Sequence, residues 1–573
     1  MVILDDIFPD SQWFKRRDNI RNLIFCWCCP KVSVLLALYR KANINRLDLK
    51  KMQFPARLAL ASGIILTCIT IFGWVAFPNL IKSKIKTGVT LKPGSELREM
   101  YMKIPFAITF KIYVFNVTNP DDVAKGLTPI VQEVGPYMFE EWRSKVFVSE
   151  DEEDDTMTFY SKETFIFRPD QSSPLTGNEV LTIPHPLIVA ILLTVVRDKP
   201  SALNLINKAM NSIFKNPKTP FLTATFKQIF FDGVIVNCSV PDFAGKAVCT
   251  QLKTEGAKDF EFIEENVFKF SLLGTKNGTA SNKYKVKRGL KNYRDTGRVI
   301  EYNDMLEMNV WPTKECNQFQ GTEGTIFPGL TPHGSDIPSF AAMLCRSMAA
   351  KYLGDTKYNG IPVSRYTLDF GDQTNNPEDK CYCPSPEECM KKGVMDLRKC
   401  SGPVVASMPH FYNCDPSYAN GVKGVYPDKD KHELYLLFET TTGSPLAARN
   451  RLQFSMPLMP IPKVDVMKNC PNTLLPMFWV EESIDLNKTM TKPIKTMFVT
   501  MKTVRIISWI ILLGTIGGLI YAAFLYYKRS REVHITPVKS VTQKKDNPIS
   551  TVMSKSAGGV SNPAVSDNEI DKY

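Results

Sequence analysis

Histidine is scarce in this chain, at five in 573 residues, and the placement of the five excludes more than their number does. No two stand four residues apart and no H-E-x-x-H pair occurs, so the helical zinc-hydrolase arrangement is missing. G-x-S-x-G and the phosphate-cradling G-x-x-x-x-G-K-[S/T] are also absent, which removes the serine-hydrolase elbow and P-loop chemistry. His333 in "TPHG" and His410 in "MPHF" stand alone and read as structural or exposed side chains, and His534 lies in the polar tail. Nothing in the spacing of the 58 carboxylates singles out a catalytic pair. The chain reads as a non-enzyme with no cofactor and no metal.

A basic body is missing too. The net charge is +13, but residues 1–57 carry +6 of it and residues 528–573 carry +3. The stretch between them is close to neutral, which argues against nucleic acid as a partner.

Two long apolar runs are what the chain does have. "LALASGIILTCITIFGWVAFPNLI" follows Arg57, and "IISWIILLGTIGGLIYAAFLYY" fills residues 506–527. Each exceeds the roughly 20 helical residues needed to cross a hydrocarbon core. Trp74, Trp509, Tyr526 and Tyr527 stand near their ends, where amphipathic rings favour the interface. Residues 58–80 and 506–527 are therefore expected to span a membrane. The expected arrangement puts a cytoplasmic tail at 1–57, an extracellular body at 81–505 and a disordered cytoplasmic tail at 528–573. Gly514 and Gly518, four apart, would allow close approach of another helix.

Ten of the 14 cysteines fall between these runs, together with N-glycosylation acceptors at Asn116, Asn237, Asn277 and Asn487. Both suit an oxidising compartment. The spacings of "KCYCPSPEEC" fit zinc poorly, so disulfides are the expected use. In the N-terminal tail Cys26, Cys28 and Cys29 are candidate palmitoylation sites.

The body reads as mostly antiparallel strands. "FAITFKIYVFNV" places Phe106, Ile108, Phe110, Ile112 and Val114 on one face, and "RLQFSMPL" alternates Leu452, Phe454, Met456 and Leu458. Asn277-Gly278 is a hairpin signal. The acidic run Glu150–Asp155 reads as a solvated turn. Residues 186–217 read as two short helices broken near Asp198–Pro200. They are either core helices or an apolar cap that meets lipophilic ligands, with Leu187, Ile188, Ile191 and Leu192 as contacts and Lys208 and Lys215 for an anionic head.

Several motifs follow one another in a specific order: "FPNLIKSKIK", "KIPFAITFKIYVFNVTNPDDVAKGLTPIVQEVGPYMFEEW", "GTEGTIFPG", "LCRS", "GVMDLRKC", "MPHF" and "TGSPLAARNRLQFSMPL". This order resembles the class B scavenger receptor (fatty acid translocase) family over residues 53–527. "EEDDTMTFYSKETFIFRPD", "NCSVPDFAGKAVCTQLKTEG" and "PMFWVEESIDLNKT" resemble its branch of insect sensory neuron membrane proteins. The first fifty residues have no counterpart in the family's short N-terminal stub.

The resemblance implies an α+β fold: a large antiparallel β-barrel-like ectodomain, an apical helix bundle that includes residues 186–217, and an internal hydrophobic tunnel. It implies the pairs Cys316–Cys381, Cys345–Cys400 and Cys383–Cys389, with Cys238–Cys249 as a subfamily pair. Cys414 and Cys470 depart from the pattern and, as the remaining two, are expected to bridge each other. The family's apical lysine falls near Lys215. The implied function is capture of fatty acids or fatty-acid-derived pheromones and their passage toward the membrane. Expected partners are an odorant receptor complex, odorant- or pheromone-binding carrier proteins, membrane lipids and a second copy of the chain. The implied setting is the plasma membrane of olfactory neuron dendrites. The alternatives are a general scavenger, lipoprotein or fatty-acid uptake receptor, a two-span ion channel, or an adhesion protein. Against the channel, the second run offers only Ser508 and Thr515 as polar pore positions.

Overall fold

Alternating apolar residues build most of this molecule. The computed structural model describes residues 53–256, 259–385 and 387–533. Eleven strands follow one path through a 13-stranded sheet. In chain order they are β1 (Ile108–Val117), β2 (Val131–Asp151), β3 (Thr156–Phe167), β4 (Ala280–Lys287), β5 (Val299–Tyr302), β6 (Ile337–Ala341), β7 (Arg346–Tyr358), β8 (Ile361–Thr367), β9 (Tyr435–Glu439), β10 (Ser444–Leu458) and β11 (Thr473–Asp485). Each pairs antiparallel with its sequence neighbour except at two places. β1 pairs with β11, joining the two halves of the meander. β5 and β6 end the path.

The gap between those ends is nearly closed by a short strap. Thr322 bridges to Arg298 on one side and to Ser339 on the other. Val299 N donates to Gly321 O at 3.0 Å, and Phe340 N donates to Thr322 O at 2.7 Å. Gly321 is required there: its φ is +75°, and a Cβ would lie 1.9 Å from Pro338 O. The result is a barrel-like sheet with its edge strands covered, as large sheets require.

Helices α2 (Pro186–Asp198), α3 (Leu203–Ile213) and α4 (Phe243–Glu255) gather with two small sheets at one end of this body. The break between α2 and α3 falls at Pro200, where a missing N–H ends the helix. Thr182 N donates to Asn116 Oδ1, tying this group to the Val117 end of β1. The chain leaves for its C-terminal helix from the other end, after Asp485 of β11. Thirteen residues at about 3.3 Å each put roughly 40 Å between the two ends. The largest core runs from Phe110, Ile112, Tyr137 and Phe139 of the wall to Leu192, Ile206 and Met210 of the helices.

Two helices are long and apolar enough to cross a membrane: α1 (Phe54–Gly88) and the C-terminal α5 (Lys488–Val533). Only 6% and 17% of their apolar windows are buried, which rules out the core helix of a soluble protein. Both extend past the runs expected at 58–80 and 506–527, because their inner ends are amphipathic. In α5, Ile494 and Phe498 pack with Leu446 and Ile361 of the barrel. A π-turn at Phe72–Ala76 interrupts α1. There Trp74 meets Trp509 edge-on at 5.4 Å, and a Cβ on Gly73 would lie 2.5 Å from Ser508 Oγ. Farther out, Gly518 is the close-approach glycine, facing Ser62, while Gly514 faces open space.

Two local expectations change. Asn277-Gly278 does not turn a hairpin: Val267–Phe270 pairs within a small sheet, and β4 pairs with β3 and β5. Asn277 instead accepts Phe165 N at 2.8 Å, so a tertiary bond replaces the turn. The acidic run is only partly solvated. Asp155 is buried against Arg288 at 3.2 Å, and Glu150 holds Arg98 at 2.7 Å.

Candidate functional site

The residues expected at the apex divide by exposure. His185 caps α2 by accepting Ile188 N, and burial pushes its imidazole down to about 4. Leu187, Ile188 and Leu192 lie inside the main core, and Ile191 is half-buried against it. Lys208 and Lys215 are exposed, and neither forms a salt bridge among the described residues. Lys215 lies just past α3 in the left-handed region, at φ +58°. A cavity of about 530 Å³ opens nearby, lined by Leu222, Gln228, Asp232, Val234, Ile235 and Lys269.

The barrel wall carries a second arrangement, set by strand register. Partners directly opposite in an antiparallel pair share a face. Phe110 stands opposite Phe139 and Glu482, Phe139 opposite Phe167, Glu141 opposite Ile108 and Phe165, and Arg143 opposite Glu163. Further along the same face, Lys145 and Phe159 meet Tyr101. Tyr284, Tyr302 and Phe340 then continue the contacts across the closure from β4 to β6. This is therefore the inner face. It presents an aromatic layer toward the apex and a charged layer toward the membrane end.

In the charged layer Arg143 binds Glu141 through Nε and Glu482 at 2.9 Å, and Asn450 Nδ2 donates to Glu482 at 3.1 Å. Lys145 is almost fully buried, donates to Thr325 Oγ1 at 2.9 Å, and lies 3.5 Å from Glu323. Arg143 and Glu482 remain 23% and 22% exposed, and Glu163 is exposed. Burial first, then Glu482 and Glu163, lift Glu141 to about 8 against the pull of Arg143. None of these residues was singled out from sequence. The period-two run Tyr137, Phe139, Glu141, Arg143, Lys145 carried the signal, since it puts charges and aromatics on one strand face.

On the opposite face Glu481 accepts from Lys111 at 2.8 Å and Arg451 at 2.6 Å. Burial raises its pKa, but these bonds and one from Ser483 outweigh it and hold the carboxyl at about 2. Glu133 accepts from Trp479 Nε1 at 2.7 Å and His410 Nε2 at 2.6 Å, and His432 stacks on His410. His410 is thus structural, as is His432, while His333 is exposed and bonds Asp355 at 2.8 Å.

Among the described residues there are four disulfides: Cys238–Cys249, Cys316–Cys381, Cys345–Cys400 and Cys383–Cys389. Cys414 and Cys470, expected to bridge each other, are free thiols. Each is engaged locally, Cys414 with Gly393 O and Tyr412 O, Cys470 with Val466 O. Asn237 and Asn487 are exposed and Asn116 and Asn277 half-buried, and the side chain of each accepts from a backbone N–H. Cys26, Cys28 and Cys29 lie outside the described residues. Among the described residues no group of His, Cys, Asp and Glu could hold a metal ion.

The CD36 family profile matches residues 60–526, which takes in the barrel, the apex and most of both long helices. The chain belongs to the CD36 family. Sensory neuron membrane protein 1 of Ostrinia nubilalis is 43% identical over 459 residues, covering 79% of this chain and 87% of that one. The proteins of the same name from Aedes aegypti and Anopheles gambiae are 45% and 41% identical, over 79% and 88% of this chain and 84% and 93% of theirs. This CD36-family chain is a membrane receptor of the class B scavenger receptor kind, similar to the insect sensory neuron membrane proteins.

Proposed function

We propose that the chain is a non-enzymatic receptor or co-receptor that takes up lipophilic, fatty-acid-derived pheromones at the apex. It passes them through the barrel toward the membrane and an odorant receptor in olfactory neuron dendrites. In this reading both termini are cytoplasmic, residues 81–505 are extracellular, and carrier proteins deliver ligand to the apical helices. The name of the relatives, sensory neuron membrane protein, supports the setting.

The observation that carries the reading is the inner face. Arg143 sits deep in the fold, ringed by protein, yet keeps 23% of its surface accessible. That accessible surface, beside the aromatic layer, is what supports an internal space. A chain of about fourteen methylenes gains roughly 11 kcal/mol on leaving water, so a dry passage lets an alkyl chain cross an aqueous gap without any chemical step. Ala448 and Asn450 share this face, opposite Ile484 and Glu482. Ala448→Trp with Asn450→Trp is expected to abolish lipid transfer to vesicles with surface expression retained. Transfer at the wild-type rate would refute the passage. A general scavenger or fatty-acid uptake role is favoured by the family-wide match, and expression confined to non-sensory tissue would select it.

A further inference from the structure

His410 and His432 hold a strap of chain by two bonds that only neutral imidazoles can make. Both residues are buried, and their rings stack at 4.4 Å. His410 Nδ1 accepts Tyr426 N at 3.0 Å, and His432 Nδ1 accepts Asp428 N at 3.0 Å. Across its ring His410 donates from Nε2 to Glu133 Oε2 at 2.6 Å, so the proton is on Nε2 and the lone pair on Nδ1. Among the described residues the backbone of residues 424–427 makes no hydrogen bond besides that of Tyr426. The strap is pinned on either side. Lys423 N donates to Pro129 O and Lys423 O accepts Val131 N, both at 2.9 Å, and Asp428 caps the helical turn Lys429–His432. Val425 is buried within the strap, and the two imidazoles rest on Phe115 of β1 and Trp479 of β11.

A further proton on His410 must go to Nδ1, where it turns the acceptor into a donor facing another N–H. The groups around the pair decide where charge is tolerated. β2 sets Glu133 against His410, a ready counter-charge. β10 brings the neutral Gln453, which accepts His410 N at 2.7 Å, and Arg451, which Glu481 of β11 matches at 2.6 Å. β1 adds the Phe115 ring, and the helical turn adds Asp428. Burial first, and then the charge of His410, hold the His432 imidazole down to about 4. A depressed imidazole stabilises the latched strap above the ordinary histidine value of about 6.5, and that support is lost as pH falls toward about 4.

We propose that the stacked pair His410–His432 is a proton-operated latch on residues 424–428. Neutral, the two rings hold the strap by Tyr426 N and Asp428 N; in acid their acceptors become donors and the strap lets go. Release bares Val425 and the Phe115 side of the barrel wall, so the apolar surface offered there depends on pH.

The test is hydrogen–deuterium exchange on the full chain in lipid nanodiscs at pH about 7.5 and about 4.5, either side of the ordinary histidine range. Rates are read as protection factors, which removes the intrinsic pH dependence of exchange. The peptide that covers Tyr426 and Asp428 is expected to lose at least about tenfold protection in acid, while peptides from β10 and β11 keep theirs. In His410→Asn with His432→Asn, amide oxygens replace the Nδ1 acceptors and take no proton, so the loss should shrink to within about twofold. Glu133→Gln keeps an acceptor for Trp479 but removes the counter-charge, so release should move about one pH unit lower. Equal protection of the strap at both pH values overturns the latch. A loss shared equally by β10 and β11 is global unfolding and overturns it too, as does a double variant with the wild-type response. Should the double variant fail to fold, an unshifted midpoint in Glu133→Gln overturns it instead.

Discussion

Replacing Glu481 by Gln removes one charge from the seam between β1, β11 and β10, and the structure sets the cost. The folded carboxyl stands at about 2 against an ordinary 4.5, a difference worth about 3 kcal/mol at neutral pH. Glu481 is 4% exposed, so solvent screening takes little from that figure. The depressed value means that the stabilisation is present above about 4.5 and is lost as pH falls toward about 2. Glu481→Gln should therefore unfold roughly 5 °C lower than the wild type at pH 7. The two melting curves should converge near pH 2–3. Tryptophan fluorescence is a suitable assay, since Trp479 stacks on Tyr113 at 3.8 Å in the same seam. Equal melting at neutral pH, or a gap that does not shrink in acid, would refute the assignment of this network as a clamp.

Three further outcomes follow from geometry. Glycopeptide mapping should find the exposed Asn237 and Asn487 modified far more than the half-buried Asn116 and Asn277. Alkylation after denaturation without reductant should label Cys414 and Cys470 and leave the other eight cysteines between the spans unlabelled; burial raises these two thiols to about 12 and about 11, so native protein should react slowly. Gly518→Leu should weaken cross-linking between the two long helices, whereas Gly514→Leu should not, because only Gly518 faces Ser62.

The membrane helices, the strand at Ile108–Val117 and the break at Pro200 were legible because each has a local cause: apolar length, period-two alternation, a missing N–H. The Asn277-Gly278 turn was misread because a dipeptide carries no record of the tertiary bond to Phe165 that competes for it. Bridging Cys414 to Cys470 followed from an even count, and a count holds no distances. The inner charged layer went unseen for a related reason. Glu141, Arg143 and Glu482 come from strands more than 330 residues apart in sequence, and only the β1–β11 pairing brings them to one face. Lys208 and Lys215, read from sequence as charges for an anionic head, are exposed on and just after α3.

The most direct measurement is photo-crosslinking with a hexadecyl acetate that carries a diazirine along its chain, on the full-length protein in nanodiscs, with the adducts mapped by peptide sequencing. Adducts on the inner-face positions of β2, β3 and β10, among them Phe139, Phe165 and Leu452, are the predicted result. Adducts confined to the outer surface and to the two long helices would contradict an internal route for the alkyl chain.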